Sequence, residues 1–258
     1  MKRTLFASAI AVAVVSPALA ADLPSAPPPQ APAVYVPAAP PVYNWSGFYI
    51  GANAGGSWFS QSNSTFTDSV TGATSTGQSF NDSGFAAGGQ IGANFQSGQF
   101  VFGIEGDADY LSNKASVTVA SDFSGPGSSN THTYTLDFLS TVRGRLGFAW
   151  DRALIYGTGG LAMADYQIQR VQNGAGLAPA GNSQTVSDFR IGWAAGAGVE
   201  YAFSDMITGR VEYLVAGLES ASNSYNFAAF GNGTVTQSSP TAYVNIVRGG
   251  LNFKFGGF

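Results

Sequence analysis

The sequence predicts an all-β protein, an eight-stranded antiparallel transmembrane β-barrel. In five apolar-rich segments after residue 100, every charged residue falls on the face opposite the aromatic residues. Charged residues also make up only 10% of the chain, whereas a soluble domain usually carries roughly a quarter. Because side chains alternate across a strand, a wall with lipid outside and a narrow interior produces this pattern.

The charged residues define the inward face of the predicted barrel. Between Phe100 and Tyr110 the apolar residues share one face and the acids share the other. Between Leu136 and Trp150 the same alternation puts Leu136 and Phe138 outside and Asp137 inside. The five segments together predict a lumen charge network of six acids and six bases: Glu105, Asp107, Asp109, Asp137, Arg143, Arg145, Arg190, Glu200, Arg210, Glu212, Arg248 and Lys254.

The connections between the predicted strands alternate in length. Short turns are predicted at Ser97-Gly98, Asp151-Arg152 and Ser204-Asp205, and long loops near 60–83, 112–133, 171–187 and 221–240. Bacterial outer-membrane barrels have short periplasmic turns and longer outer loops. An even strand count then puts both termini in the periplasm. The interior of such a barrel, of the small OmpA/OmpX type, is filled by side chains.

For three strands the sequence defines less clearly which residues face outward. The first two, Phe48–Trp58 and Phe85–Gln96, carry no charges, although Phe85 and Ile91 share one face. The frame of the fifth depends on whether the preceding turn uses two or three residues. Its outward face is therefore one of two sets: Ile155, Leu161 and Met163, or Leu154, Tyr156 and Tyr166.

The N-terminal region divides into two predicted segments before the barrel domain at 44–258. Residues 1–20 have a cationic start, an apolar stretch and a small-residue end, which is the pattern of a secretory signal peptide. Residues 21–43 hold eight of the twelve prolines, which favours a semi-rigid periplasmic leader. The leader is open to two interpretations, a disordered segment or a functional tether.

Composition excludes several functions. The net charge of −4 argues against a nucleic-acid partner, and the absence of cysteine removes disulfides and thiolate metal sites. The single histidine, His132, is interpreted as a solvated loop residue, so we predict no metal site, no cofactor and no enzymatic activity. The lumen charges favour packing over their alternative, a gated cation or proton path or a narrow pore.

Aromatic residues fall into two groups. Those near strand ends are predicted to form the interface girdle: Trp58, Tyr110, Trp150 and Tyr201. Those in the predicted loops either pack against one another, which we favour, or form a recognition surface: Phe66, Phe80, Phe123, Tyr225, Phe227 and Phe230.

Three stretches resemble the small outer-membrane immunogenic proteins of alphaproteobacteria, the RopB-like porin family. Asn44–Gly51 is similar to the opening WTGFYIG strand of that family, Ile155–Ala162 to its central YATGGLA stretch and Arg248–Phe255 to its final RAGLNYKF strand. The resemblance implies an integral outer-membrane barrel that contributes to envelope integrity and surface exposure, without a catalytic role. Some relatives are surface antigens or haem binders.

The resemblance also implies partners. These are outer-membrane lipid and lipopolysaccharide, the barrel-assembly machinery, and peptidoglycan through a mature Ala-Asp N-terminus, here Ala21 and Asp22. The family tends to end on an aromatic residue that the assembly machinery reads; this chain offers both Phe255 and Phe258, and the frame favours Phe255 as the strand end. The predicted function is structural, with a small porin or gated channel, or a surface adhesin or haem receptor, as alternatives.

Overall fold

The computed structural model describes residues 43–69, 72, 74–77, 79–120, 129–173, 183–227 and 233–257. The predicted signal peptide, the leader up to residue 42 with Ala21 and Asp22, and Phe258 lie outside these residues. Among the described residues, no helix has the length and apolarity needed to cross a bilayer.

Twelve strands are present in the described part of the chain. They are β1 Gly47–Gln61, β2 Thr65–Asp68, β3 Thr74–Thr76, β4 Phe80–Ser97, β5 Phe100–Ala120, β6 Ser129–Trp150, β7 Ala153–Asn173, β8 Ser183–Ala202, β9 Ile207–Leu218, β10 Ala221–Phe227, β11 Gly233–Ser239 and β12 Ala242–Phe255. Eight of them close into an antiparallel barrel in the order β1-β12-β9-β8-β7-β6-β5-β4. The predicted fold is therefore confirmed.

One end of the barrel carries the short turns, and we call it the short-turn end. The β4–β5 turn uses Gly98 and the β6–β7 turn uses Asp151, with φ angles of 61° and 49°. Left-handed backbone of this kind lets a tight hairpin follow the twist of its strands. β1 and β12 pair near the same end, with Phe48 opposite Phe255. The opposite end is the loop end.

The predicted long loops are mostly strand, so that part of the sequence interpretation was wrong. β5 to β8 continue far beyond the membrane segment, and β2, β3, β10 and β11 form a separate four-stranded sheet at the loop end in the order β10-β11-β2-β3. β5 has 21 residues, which at about 3.3 Å per residue and a tilt of about 40° rises about 50 Å. The outward apolar band of such barrels is only about 25 Å tall.

The alternation inverts where the strands leave that band. In the lower part of β5, Phe102 and Ile104 are exposed on the outer surface at 49% and 69%. Higher on the same strand, Ser112 and Lys114 are exposed while Leu111 is buried inside. The outer surface there is polar, as expected for a sheet that faces water and keeps its apolar residues for the interior.

An irregularity in β6 accompanies this inversion. The pairing of β6 with β7 shifts between Leu136 and Phe138, so Asp137 has no partner on β7. Leu136, predicted to face lipid, is fully buried in the interior, whereas Phe138 is 44% exposed. One extra residue in a strand reverses the facing of every residue beyond it.

The frame of the fifth barrel strand, β7, follows from a two-residue turn at Asp151 and Arg152. Leu154 and Tyr156 are buried inside, and Ile155 and Leu161 are exposed outside at 52% and 60%. The first of the two predicted outward sets is therefore the observed one.

Candidate functional site

A buried network of charged side chains fills the middle of the barrel. Nine residues form it, each at most 5% exposed: Glu105, Asp107 and Asp109 from β5, Arg143 and Arg145 from β6, Glu200 from β8, Arg210 and Glu212 from β9, and Arg248 from β12. We call this set the central network.

Two arginines connect acids from opposite sides of the ring. Arg143 contacts Glu105 and Asp107 at 2.7 Å and Glu212 at 3.2 Å. Arg248 contacts Glu212 at 2.7 Å and Asp107 at 3.3 Å, and it pairs with Asp109. The two guanidinium groups thus share Asp107 and Glu212, which ties β5, β6, β9 and β12 together.

The lower part of the central network centres on Glu200, nearer the short-turn end. Glu200 pairs with Arg145 and accepts hydrogen bonds from Thr208 and Asn252. The Arg145 guanidinium lies 3.6 Å from the centre of the Tyr156 ring, a cation–π contact that adds to the ion pair.

A further link joins directly opposite strands. Arg210 of β9 pairs with Glu105 of β5, four places away around the ring in either direction. Glu105 also accepts a hydrogen bond of 2.6 Å from the Tyr49 hydroxyl of β1.

Three of the twelve predicted network residues lie elsewhere. Asp137 sits half-buried in the β6 irregularity and makes no ion pair among the described residues. Arg190 is buried nearer the loop end, 3.5 Å from Asp188 and 4.1 Å from the centre of the Tyr166 ring. Lys254 is half-buried at the short-turn end, where it donates to the Asn44 carbonyl. The central network therefore holds five acids and four bases, where the sequence predicts six of each.

A small apolar plug closes the short-turn end. Its members are Tyr43, Trp45, Val101, Ala149, Leu154, Tyr156 and Ala202. The Trp45 indole donates to the Asp151 carbonyl at 3.0 Å, and the Tyr43 amide donates to the Asp151 carboxylate at 2.9 Å. Burial, with the nearby acids Glu200 and Asp205, raises the pKa of Tyr43 to about 12. Sequence reasoning placed Tyr43 in the leader; the available signal was an aromatic pair directly before the first strand.

A larger apolar core fills the interior on the loop side of the central network. It contains Phe59, Ala86, Leu111, Tyr134, Leu136, Leu139, Ala162, Ala164, Tyr166, Ile168, Ala194, Leu214, Leu218, Val244 and Ile246, among others. Phe80 stacks on Tyr134 at a ring separation of 4.7 Å, and Phe59 meets Tyr166 at 6.0 Å. This core was not predicted.

His132 contributes to the same packing. It lies in β6, is 2% exposed and has its ring 5.0 Å from that of Phe66, which is also 2% exposed. The interpretation of His132 as a solvated loop residue was therefore wrong, because the strand continues through this segment. Phe66 and Phe80 pack inward as favoured, whereas Phe123 and Phe230 lie outside the described residues.

The outer surface shows the expected membrane features. Trp58, Tyr110, Trp150 and Tyr201 all point outward, with exposures between 48% and 57%. Aromatic residues at these positions suit the two membrane interfaces. No group of three or more His, Cys, Asp or Glu side chains arranged to hold a metal ion occurs in the described part of the chain.

A family model for the outer membrane protein beta-barrel domain matches residues 9–237. The chain belongs to this family. It is 32% identical to the 31 kDa outer-membrane immunogenic protein of Brucella melitensis biotype 1, covering 99% of this chain and 100% of that one. It is 30% identical to the 22 kDa outer membrane protein of Rhizobium leguminosarum bv. viciae, covering 75% and 74%.

Among solved structures, the outer membrane protein OprG from Pseudomonas aeruginosa matches with a TM-score of 0.48 and 14% identity, covering 83% of this chain and 99% of that chain. Family membership makes the protein an integral outer-membrane barrel, as the resemblance implied. By the usual orientation of the family, the short-turn end faces the periplasm.

Proposed function

We propose that this protein is a structural component of the outer membrane, a rigid, surface-exposed barrel that contributes to envelope integrity and has no catalytic activity. The observation that carries the proposal is the cross-barrel ion pairing, above all Arg210 with Glu105 on directly opposite strands. Side chains joined in this way brace the wall from within and occupy the space that a solute would need.

The apolar layers above and below the central network support the same proposal. A permeating ion would have to pass the plug around Trp45 and then the core around Phe59 and Tyr166, both nearly inaccessible to water. Moving a charge into such surroundings without a partner costs several kcal/mol. A closed interior therefore fits a bracing role better than a channel.

Planar-bilayer recording of the folded protein tests this reading. We expect no stable conductance from protein whose folding has been verified by heat-modifiable gel migration, and an open porin in the same bilayers serves as the positive control. Steady conductance steps that change in size with Glu105→Gln would instead identify a gated channel whose path runs through the central network.

The contribution to the envelope is tested in cells. Deletion of the gene should increase entry of a hydrophobic dye and sensitivity to detergent, and re-expression of the wild-type chain should restore both. Unchanged permeability in the deletion strain would contradict a bracing role even if the purified barrel is closed.

We also propose that the mature N-terminus is linked to peptidoglycan through Ala21, with Asp22 as part of the recognised sequence. The family resemblance supports this, and β1 starts at the short-turn end, the end that faces the periplasm in barrels of this kind. Muramidase digestion followed by mass spectrometry should yield an N-terminal peptide carrying a muropeptide mass. An unmodified Ala21 peptide in every digest would contradict the tether.

For assembly, we propose that the barrel-assembly machinery reads Phe255 rather than Phe258. Phe255 ends β12, points outward towards lipid on the periplasmic side at 46% exposure, and precedes Gly256, whose φ of 64° turns the chain. Phe255→Ala should lower the yield of folded barrel more than Phe258→Ala, and the reverse order would contradict the assignment.

A further inference from the structure

The central network contains one acid more than it has bases. Arginine stays protonated in proteins, so the four arginines of the central network supply four positive charges against five carboxyl groups. If all five acids were ionised, the nine residues of the central network would together carry one excess negative charge, and the further buried base Arg190 lies outside this set beside Asp188. A buried charge without compensation is so costly that the group normally takes up a proton instead.

The hydrogen bonds single out one of the five acids. Every carboxylate oxygen of Glu105, Asp107, Glu200 and Glu212 accepts at least one hydrogen bond within the network. In Asp109, Oδ2 accepts from Arg248, whereas Oδ1 is fully buried and has no partner. Asp109 is therefore the acid whose second oxygen no donor stabilises as an anion.

A matching unsatisfied acceptor lies two strands away. Asn53 of β1 donates through its amide nitrogen to Gln90 at 2.9 Å, but its buried Oδ1 has no partner. Asn53, Gly88 and Asp109 are aligned in one row across β1, β4 and β5. Because Gly88 has no side chain, Asp109 Oδ1 occupies space only 2.1 Å from where a Gly88 Cβ would stand, so the carboxyl group reaches over Gly88 towards Asn53.

We propose that Asp109 is a proton-binding site that stays occupied at neutral pH. The proton sits on Oδ1 and is donated to Asn53 Oδ1, while Oδ2 continues to accept from Arg248. One proton then neutralises the excess charge of the central network and satisfies both unpartnered oxygens. A hard metal cation would need about six oxygen ligands, and in the row of Asn53, Gly88 and Asp109 only these two buried side-chain oxygens lack a hydrogen-bond partner.

Three charged side chains lie near Asp109, on three different strands of the barrel. Arg248 approaches from β12, Arg143 from β6 and Asp107 from the same strand. The two arginines are already shared by Asp107 and Glu212, which leaves Asp109 as the acid most readily neutralised by a proton.

Infrared spectroscopy of the folded barrel tests the proposal. At neutral pH the wild-type spectrum should contain the carbonyl-stretch band of a protonated carboxylic acid, shifted by deuterium exchange. Asp109→Asn should remove the band while leaving the temperature of heat-modified migration unchanged, because the amide still accepts from Arg248 and donates to Asn53. Asp205→Asn, at an exposed acid in a surface ion pair, is the matched control and should keep the band.

Three results would overturn the assignment: no band in the wild-type protein at neutral pH, a band that persists in Asp109→Asn, or a wild-type band that appears only after sodium and potassium are removed. The third would identify a monovalent cation in place of the proton. Because the first and third are measured on the wild-type chain, the proposal stays testable even if a variant does not fold.

Discussion

Removing Arg143 should destabilise the barrel severely. Its guanidinium contacts three acids within 3.2 Å, and its side chain is fully buried. Arg143→Met keeps much of the volume but leaves Glu105, Asp107 and Glu212 with only Arg210 and Arg248 as counter-charges. Breaking a buried ion pair from one side costs about 3–5 kcal/mol, which lowers the folding equilibrium constant by roughly a hundred- to several-thousand-fold.

The measurement is a urea titration of protein folded into lipid vesicles, followed by heat-modifiable gel migration. Arg152→Ala is the matched control, because Arg152 forms an exposed pair with Asp205 at 3.6 Å and is 41% exposed. An exposed pair contributes about 0–1 kcal/mol, so this variant should unfold close to the wild type. Adding Glu105→Gln to Arg143→Met should recover part of the loss, since one of the three acids that lost Arg143 then carries no charge. Equal midpoints for Arg143→Met and Arg152→Ala would refute the reasoning.

Three further predictions concern packing and pH. Gly160→Ala should lower the free energy of unfolding by about 1–3 kcal/mol, because a Cβ at this position would lie 2.1 Å from the Val142 carbonyl oxygen. Gly106→Ala is the control: its Cβ would meet no atom closer than 3.8 Å, so it should leave the midpoint of the same urea titration unchanged. Phe59→Ala should cost about 3–5 kcal/mol, because this fully buried ring anchors the loop-side core; a smaller shift than that of Gly106→Ala would contradict this. The pKa of Tyr43 is raised from 10.0 to about 12, so its contribution to stability is complete below pH 10 and lost as the pH rises towards 12. Tyr43→Phe should remove this loss of stability at alkaline pH. The urea midpoints of the variant should then stay constant between pH 10 and pH 12, where those of the wild type fall.

The sequence was sufficient for the membrane-spanning part of the barrel. The outward positions of residues such as Phe102 and Val142 follow from one rule, that lipid outside demands apolar side chains, while the strand count and the short turns follow from the spacing of the connections. The rule holds wherever hydrocarbon surrounds the wall. Glu105 and Arg145 obey it because their strands are in the band at those positions.

The same rule fails at the edge of the apolar band nearest the loop end, where the outer surface meets water and no longer lipid. Ser112 and Lys114 face water there, and Leu111 turns inward to form the core. The alternation of polar and apolar residues cannot reveal this change by itself. The pattern keeps its period of two, and the apolar residues simply occupy the inner face where they occupied the outer face before. Where the strands outrun the bilayer, the interior is built as in a soluble protein.

Asp137 shows why the charge count could not be read from the sequence. Regular alternation from Arg143 back along β6 predicts that Asp137 faces inward. The extra residue between Leu136 and Phe138 shifts the register, so the alternation does not continue to Asp137. A bulge costs little in a strand whose outer surface passes from lipid to water, and it lets Leu136 join the apolar core while Phe138 stays outside. The loss of Asp137 from one side, and of Arg190 and Lys254 from the other, turns a balanced set into five acids against four bases. The register shift removes one acid, and an excess of one acid remains because Arg190 and Lys254 lie towards the two ends of the barrel, a depth that the alternation pattern does not give.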